Sequence, residues 1–251
     1  MIRSETAGRV ARVRFDRPDK KNAITTEMYL QLAEALAAAD ADREVRAILL
    51  HGSAECFTSG NDVADFLQRP PTGEDSPTWK LFEVLPNLGK PLVAAVGGPA
   101  VGIGCTMLLH CDLVYAAANA RFQLPFVPLG IVPEFGSTFL LPLLAGYQRA
   151  AELLLLGKPF DAHKAYELGM VSAVVSQENL LGEAEKAAAS LAALPAESIR
   201  LTKRLMKARY GKTVAETIAE EGRIFRERLQ SPEARQALNA FLDKTARKPG
   251  R

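Results

Sequence analysis

Glu134 is the single acid in a tract bounded by Arg121 and Arg149. Upstream of it runs a small-residue stretch, Gly97-Gly-Pro-Ala-Val-Gly-Ile-Gly-Cys105. It follows the apolar, strand-like Leu92-Val-Ala-Ala-Val96 and opens into a helical pattern, Cys105 to His110. A small-residue turn that opens a helix presents free backbone N–H groups beside the positive end of the helix dipole. That arrangement suits an anionic ligand or an oxyanion that develops during a reaction. The chemistry on offer is therefore an oxyanion site plus one carboxylate.

Other chemistries find no support. The glycines at 98, 102 and 104 read G-x-x-x-G-x-G, which is neither the dinucleotide fingerprint nor a phosphate-binding P-loop. No G-x-S-x-G nucleophile elbow occurs. His51, His110 and His163 are scattered without metal-ligand spacing, so each reads as a structural histidine. Cys56, Cys105 and Cys111 are odd in number and unpaired in spacing, as buried small residues of a reducing compartment would be. No metal site is expected.

The elements that must position these groups follow from periodicity. Val10–Phe15 alternates between apolar residues and Arg12 and Arg14, a half-buried strand. Thr25 is the N-cap of a helix whose apolar face is Met28, Leu32, Leu36 and Ala39. Strands are expected at 45–50, 92–96, 111–115 and 170–175, with a loop at 54–62 leading into a short helix. Residues 69–78 carry three prolines and a glycine and read as a surface insert. One helix is expected over 78–88, and others over 146–156, 161–168, 177–193, 196–209, 212–229 and 232–246. Strands alternating with helices, then helices alone, divide the chain into an α/β core, 1–195, and a helical appendage, 196–251.

The appendage holds 14 Lys and Arg against 7 Asp and Glu, although the whole chain carries only +2. Most of those charges read as solvated helix faces. The stripe Val214, Ile218, Phe225 and Leu229 still has to be buried, on the core or on another subunit. With 251 residues, 48% apolar and 24% charged, the chain can bury one sizeable core without staples. The small net charge does not point to nucleic acid. Met1-Ile-Arg-Ser-Glu lacks the apolar region of a signal peptide, the last residues are Lys-Pro-Gly-Arg rather than a peroxisomal Ser-Lys-Leu, and the longest leucine run, 153–156, is far too short to span a membrane. The expectation is a soluble, cytoplasmic protein.

Taken together, Arg17-Pro18 with Asn22-Ala23, Phe57-Thr-Ser-Gly-Asn-Asp62, Gly98-Pro-Ala-Val-Gly-Ile103, Cys111-Asp112 and Phe122-Gln-Leu-Pro-Phe-Val-Pro-Leu-Gly130 resemble the crotonase (enoyl-CoA hydratase/isomerase) superfamily, in order and spacing along essentially the whole chain. The resemblance implies a ββα-spiral core, a C-terminal helical trimerisation region in a homotrimer or dimer of trimers, and acyl-CoA thioester substrates. Coenzyme A is then part of the substrate, and no separate cofactor is implied. Carried over from the family, the N–H groups of Asn61 and Ile103 hold the thioester oxygen as an enolate forms. Such donors stabilise charge only as it develops, which is what accelerates removal of a weakly acidic α-proton.

The acid/base positions divide the family. Where hydratases carry two Glu that activate water, this chain has Thr106 and Phe126. Phe transfers no proton and Thr is a poor substitute for a carboxylate. Glu134 in Pro133-Glu-Phe-Gly-Ser is instead similar in placement to the peroxisomal-type Δ3,Δ2-enoyl-CoA isomerases. The resemblance implies that Glu134 moves a proton from C2 of a 3-enoyl-CoA to C4 through a dienolate, its apolar neighbours Phe126, Val132 and Phe135 raising its pKa. The alternatives are another crotonase-type reaction, hydratase-like or on an aromatic acyl-CoA, and a catalytically silent acyl-CoA-binding trimer. For coenzyme A, the resemblance implies contacts from Lys21, Ala23, Ser59 and Gly60, and from Phe241 and Lys244 on the last helix. Asp62 and Asp112 are expected to hold turns together.

Overall fold

Residue alternation along the central strands sorts their side chains onto two faces, each of which is covered. The computed structural model describes residues 1–246 apart from Thr72 and Glu74, with side chains to residue 243. Its first half contains β1 (Ile2–Ala7), β2 (Val10–Phe15), α1 (Thr26–Ala41), β3 (Ala47–His51), α2 (Val63–Gln68), α3 (Pro77–Val84), β4 (Leu92–Val96), β5 (Pro99–Val101), α4 (Ile103–Thr106), β6 (Leu113–Ala117) and β7 (Arg121–Gln123). Then come α5 (Ser137–Ala145), α6 (Tyr147–Leu156), β8 (Phe160–Asp161), α7 (Ala162–Glu167), β9 (Ala173–Val175), α8 (Leu180–Ala193), α9 (Ala196–Lys207), α10 (Gly211–Leu229) and α11 (Pro232–Ala246).

Six strands form one sheet in the order β1-β2-β3-β4-β6-β9, antiparallel only between β1 and β2. In register, Ala11 lies beside Ile48 and Ile48 beside Leu92, on the face that joins α1 and α3 in the main core. The opposite face presents Val10, Ala47, Leu49, Val93 and Ala95 to Leu180, Ala184, Ala188 and Ala192 of α8. A parallel sheet must be buried on both sides, and this division explains why β3 and β4 read as unbroken apolar runs. A second sheet, β5-β7-β8, stands apart from the first and carries the glycine-rich stretch.

Several expectations change in detail. β1 was not anticipated, because Ile2-Arg-Ser-Glu-Thr-Ala7 is an exposed, charged edge strand with little apolar alternation. β5, β7 and β8 hold two or three residues each, too few for a periodic signal. The helix expected over 78–88 ends as an α-helix at Val84 and continues as a 3₁₀ turn, Leu85–Asn87, around Pro86. α5 was also missed, since Ser137–Ala145 is apolar nearly throughout and contains Pro142. The helical tail forms as expected, and Val214, Phe225 and Leu229 are buried by this same chain. Among the described residues, no helix is long and apolar enough to cross a membrane.

Candidate active site

Two turns meet at β5 of the small sheet. Thr58 bridges to Ala100: its N–H donates to the Pro99 carbonyl, and the Val101 N–H donates to its own carbonyl. Close approach depends on two glycines. A Cβ on Gly60, whose φ is +89°, would lie 2.7 Å from the Val101 carbonyl oxygen, and one on Gly104 would lie 2.4 Å from Thr58 Cγ2. Both distances are shorter than side-chain carbons tolerate, so only glycine lets residues 58–61 settle against 101–104.

This contact aims two N–H groups. Ile24 forms a parallel bridge with Asn61 through Gly60 and Asp62: the Ile24 N–H donates to the Gly60 carbonyl and the Asp62 N–H to the Ile24 carbonyl. In such a bridge the flanking residues make the bonds, and the N–H of Asn61 itself points to the opposite side. Ile103 is the first residue of α4, where an N–H has no partner within the helix. A 3₁₀ turn, Met107–His110, continues α4 directly.

Glu134 connects to both. Glu134 is 4% exposed, and the Thr106 hydroxyl, one turn along from Ile103, approaches its Oε1 at 3.4 Å. Burial, then the negative charge of Glu221, push the Glu134 carboxyl up to about 8, against the small opposing effect of the Thr106 hydroxyl. On the other side, the buried Tyr29 of α1 donates its hydroxyl to Asn61 Oδ1 at 2.7 Å. Tyr29 is raised well above the usual phenol range by burial and then by the charge of Glu134, while its bond to Asn61 opposes the rise. Glu134, Thr106, Ile103, Asn61 and Tyr29 thus form one connected group from four separate segments.

The turn after Glu134 is unusual. Phe135 (φ 61°) and Gly136 (φ 73°) both occupy the left-handed region, which a bulky residue such as Phe rarely adopts. The Phe135 ring stacks on Phe82 of α3 at 4.0 Å, and its carbonyl is 2.8 Å from His110 Nε2. Burial lowers His110 to about 4, so a neutral imidazole donates to that carbonyl. Its role is structural, as expected. A cavity of about 480 Å³ between α3 and α10 lies behind this wall, bounded by Trp79, Phe82 and His110 but not by Glu134.

Of the residues expected to meet coenzyme A, four come together. The Ser59 N–H donates to the Lys21 carbonyl at 3.0 Å, the Thr58 hydroxyl to the Asn22 carbonyl at 2.7 Å, and Ala23 and Gly60 flank these contacts. Asn22 is buried, donates from Nδ2 to the carbonyls of Cys56 and Phe57, and accepts the Arg17 N–H. Phe241 lies on α11, which packs against α2 just beyond this turn. The side chain of Lys244 lies outside the described residues.

Asp62 holds its turn, as expected, whereas Asp112 ties the start of β4 to α9. Asp62 caps α2 and takes a 2.7 Å bond from Arg17. Burial acts to raise its pKa, but the bonds from Arg17 and from backbone N–H groups outweigh it and leave it lowered. Asp112 accepts from the Leu92 N–H and from Lys203 at 2.6 Å. The thiols are inert: burial raises all three, Cys56 to about 11 and Cys111 to about 12. Among the described residues, no cluster of His, Cys, Asp or Glu has the makings of a metal site.

Sequence reasoning missed Glu221, Tyr29 and Lys203. Glu221 lies three residues after Ile218 and four before Phe225, on the apolar stripe of α10 rather than among solvated charges. That position was the available signal.

The sequence profile of the enoyl-CoA hydratase/isomerase family matches residues 5–249. A probable enoyl-CoA hydratase of Rhizobium meliloti is 33% identical, covering 96% of this chain and 94% of its own length. Human enoyl-CoA delta isomerase 2 is also 33% identical, over 95% of this chain and 62% of the longer human protein. Among solved structures, OdaA of Pseudomonas aeruginosa superposes with a TM-score of 0.93 at 48% identity, over 96% of this chain and 98% of that one. The spiral of strands and helices, the paired turns at 58–61 and 99–104 and the matching profile lead to one conclusion: the chain is a member of the enoyl-CoA hydratase/isomerase family.

Proposed function

We propose that the protein is a Δ3,Δ2-enoyl-CoA isomerase in which Glu134 is the proton carrier. The observation that carries this reading is a single buried carboxylate available for chemistry. Thr106 and Phe126 stand where the family's hydratases resemble one another in having two Glu. The second acid nearby, Glu221, has both oxygens occupied by three donors from the start of α5. Hydration uses two carboxylates to position and activate water; moving a double bond needs one that takes a proton and returns it.

In the reaction, the N–H groups of Asn61 and Ile103 receive the thioester oxygen. Ionised Glu134 removes a C2 proton, and the dienolate charge rests on that oxygen. The Glu134 carboxylic acid then delivers the proton to C4, leaving the conjugated 2-enoyl thioester. A base held near pKa 8 is matched in proton affinity to this task better than an ordinary carboxylate, which binds a proton too weakly.

Coenzyme A would lie along Lys21, Ala23, Ser59 and Gly60, with Phe241 and Lys244 of the last helix at its nucleotide end. The expected assembly is a homotrimer or a dimer of such trimers, with 196–251 as its helical part. Exposed apolar residues on α5 and α6, among them Leu143, Tyr147 and Leu155, support an assembly. The test pairs two substrates with two proteins. Wild type should conjugate a 3-enoyl-CoA and fail to hydrate a 2-enoyl-CoA, and Glu134→Gln should lose the first activity while still binding the product ester. Hydration by wild type, or turnover unchanged in Glu134→Gln, would sink the reading.

A further inference from the structure

α10 reaches the turn that carries Glu134 with one carboxylate. Glu221 is 6% exposed; its Oε2 accepts the Gly136 N–H at 2.6 Å, and its Oε1 accepts both the N–H (2.8 Å) and the hydroxyl (2.6 Å) of Thr138. These donors open α5, whose N-cap residue, Gly136, has no side chain to satisfy them. Glu221 therefore caps a helix some 80 residues away in the chain. Only Phe135 separates Glu134 from this clamp, and Phe135 is held in the left-handed region. A neutral cap would have closed the helix equally well. An acid here places a second negative charge beside a buried carboxyl, which is costly unless the charge has a use.

We propose that Glu221 is a positioning residue for Glu134: it locks the Phe135–Gly136 turn that aims the Glu134 carboxyl, and it sets a second carboxylate behind that turn. The inference rests on Glu134 being the proton carrier. The groups that face Glu134 are the Thr106 hydroxyl from α4, the Tyr29 phenol from α1 and Glu221 from α10. Of these, Glu221 is the one whose charge raises the Glu134 carboxyl. Burial raises Glu221 itself, and the bonds from Thr138 and Gly136 oppose that rise and favour its ionised form. His110, bonded to the Phe135 carbonyl, is neutral.

The test is Glu221→Gln, which removes the charge and, because its amide nitrogen meets an N–H donor, loosens one arm of the clamp. Two quantities are read against pH: kcat and KM for a 3-enoyl-CoA, and the infrared C=O band of protonated Glu134, identified by its loss in Glu134→Gln. The band reads ionisation without turnover. In Glu221→Gln its midpoint should fall by roughly one pH unit, and the plateau kcat should drop roughly tenfold with little change in KM. A midpoint equal to wild type, whatever happens to kcat, reduces Glu221 to an ordinary helix cap and overturns the inference.

Thr138→Ala covers the case in which Glu221→Gln does not fold, because it deletes one donor and keeps the charge. It should lower kcat several-fold with KM held, and an unchanged kcat overturns the positioning role. Glu134→Gln keeps the two ideas apart. If that variant still isomerises, the assignment of Glu134 fails first. If it is inactive while Glu221→Gln matches wild type in both readouts, only the present inference fails.

Discussion

Glu134 is buried at a cost, and the cost has a measurable sign. Its folded pKa of about 8 exceeds that of an unfolded carboxyl, so the folded state holds an extra proton between about pH 4.5 and 8. Stability must therefore fall as pH rises through that window. Glu134→Gln removes the penalty, and its unfolding midpoint in urea should exceed that of wild type by an amount that grows from pH 5 to pH 8. The gain should reach a few kcal/mol at most; equal midpoints at both pH values would contradict the raised pKa. At the same scale, kcat/KM for a 3-enoyl-CoA should climb with pH and level off above about 8. The carboxyl itself was legible in the sequence, as the one acid in an uncharged tract. Its tuning was not, because Glu221 and Tyr29 are distant in the chain and meet Glu134 only through the packing of α10 and α1.

At the scale of elements, the two donor turns stand or fall with Gly60 and Gly104. Gly104→Ala drives a methyl into Thr58 Cγ2, and Thr58 is fully buried and cannot swing aside. On the isomerase reading, displacing the Ile103 N–H should cost roughly 10²–10³ in kcat, the usual effect of losing one oxyanion donor. Thr58→Ser removes that Cγ2 and keeps the hydroxyl that bonds the Asn22 carbonyl and Gly60 N–H. Added to Gly104→Ala, it should restore part of the rate. Gly60→Ala has no such remedy, since it meets a backbone carbonyl. Steady-state rates of the three variants and the double mutant decide this. The motif glycines were visible in the sequence, but the short strands β5, β7 and β8 that pin them were not. A strand of two or three residues leaves no period to read; it forms because its neighbours already hold its ends.

For the whole molecule, the helical tail is tied to the sheet by a buried cation. Lys203 of α9 is 5% exposed and bonds Asp112 Oδ2 at 2.6 Å and the Lys90 carbonyl at 2.7 Å. Lys203→Met would leave Asp112 without its partner. Removing one side of such a pair costs about 3–5 kcal/mol when it is fully enclosed, and less here because Asp112 is partly exposed. Urea unfolding should show a loss of at least about 1 kcal/mol; an unchanged midpoint would mean that α9 does not depend on this link. The longer inner strands and the helices of the tail were readable from the sequence because each is long enough to show a pattern. The tail's bonds to the core were hidden, since charge counts treat Glu221 and Lys203 like the solvated residues around them.

The near-complete enclosure of Glu134 has a consequence for isotopes. The carboxyl of a residue only 4% exposed, once a substrate covers it, should trade its hydrogen with solvent slowly during one catalytic cycle. On the isomerase reading, the hydrogen lifted from C2 is largely the one delivered to C4. Turnover of unlabelled 3-enoyl-CoA in deuterium oxide should then yield product with little deuterium at C4, and substrate deuterated at C2 should pass its label along the chain. Each molecule of product would carry a record of how well the protein kept water from its base.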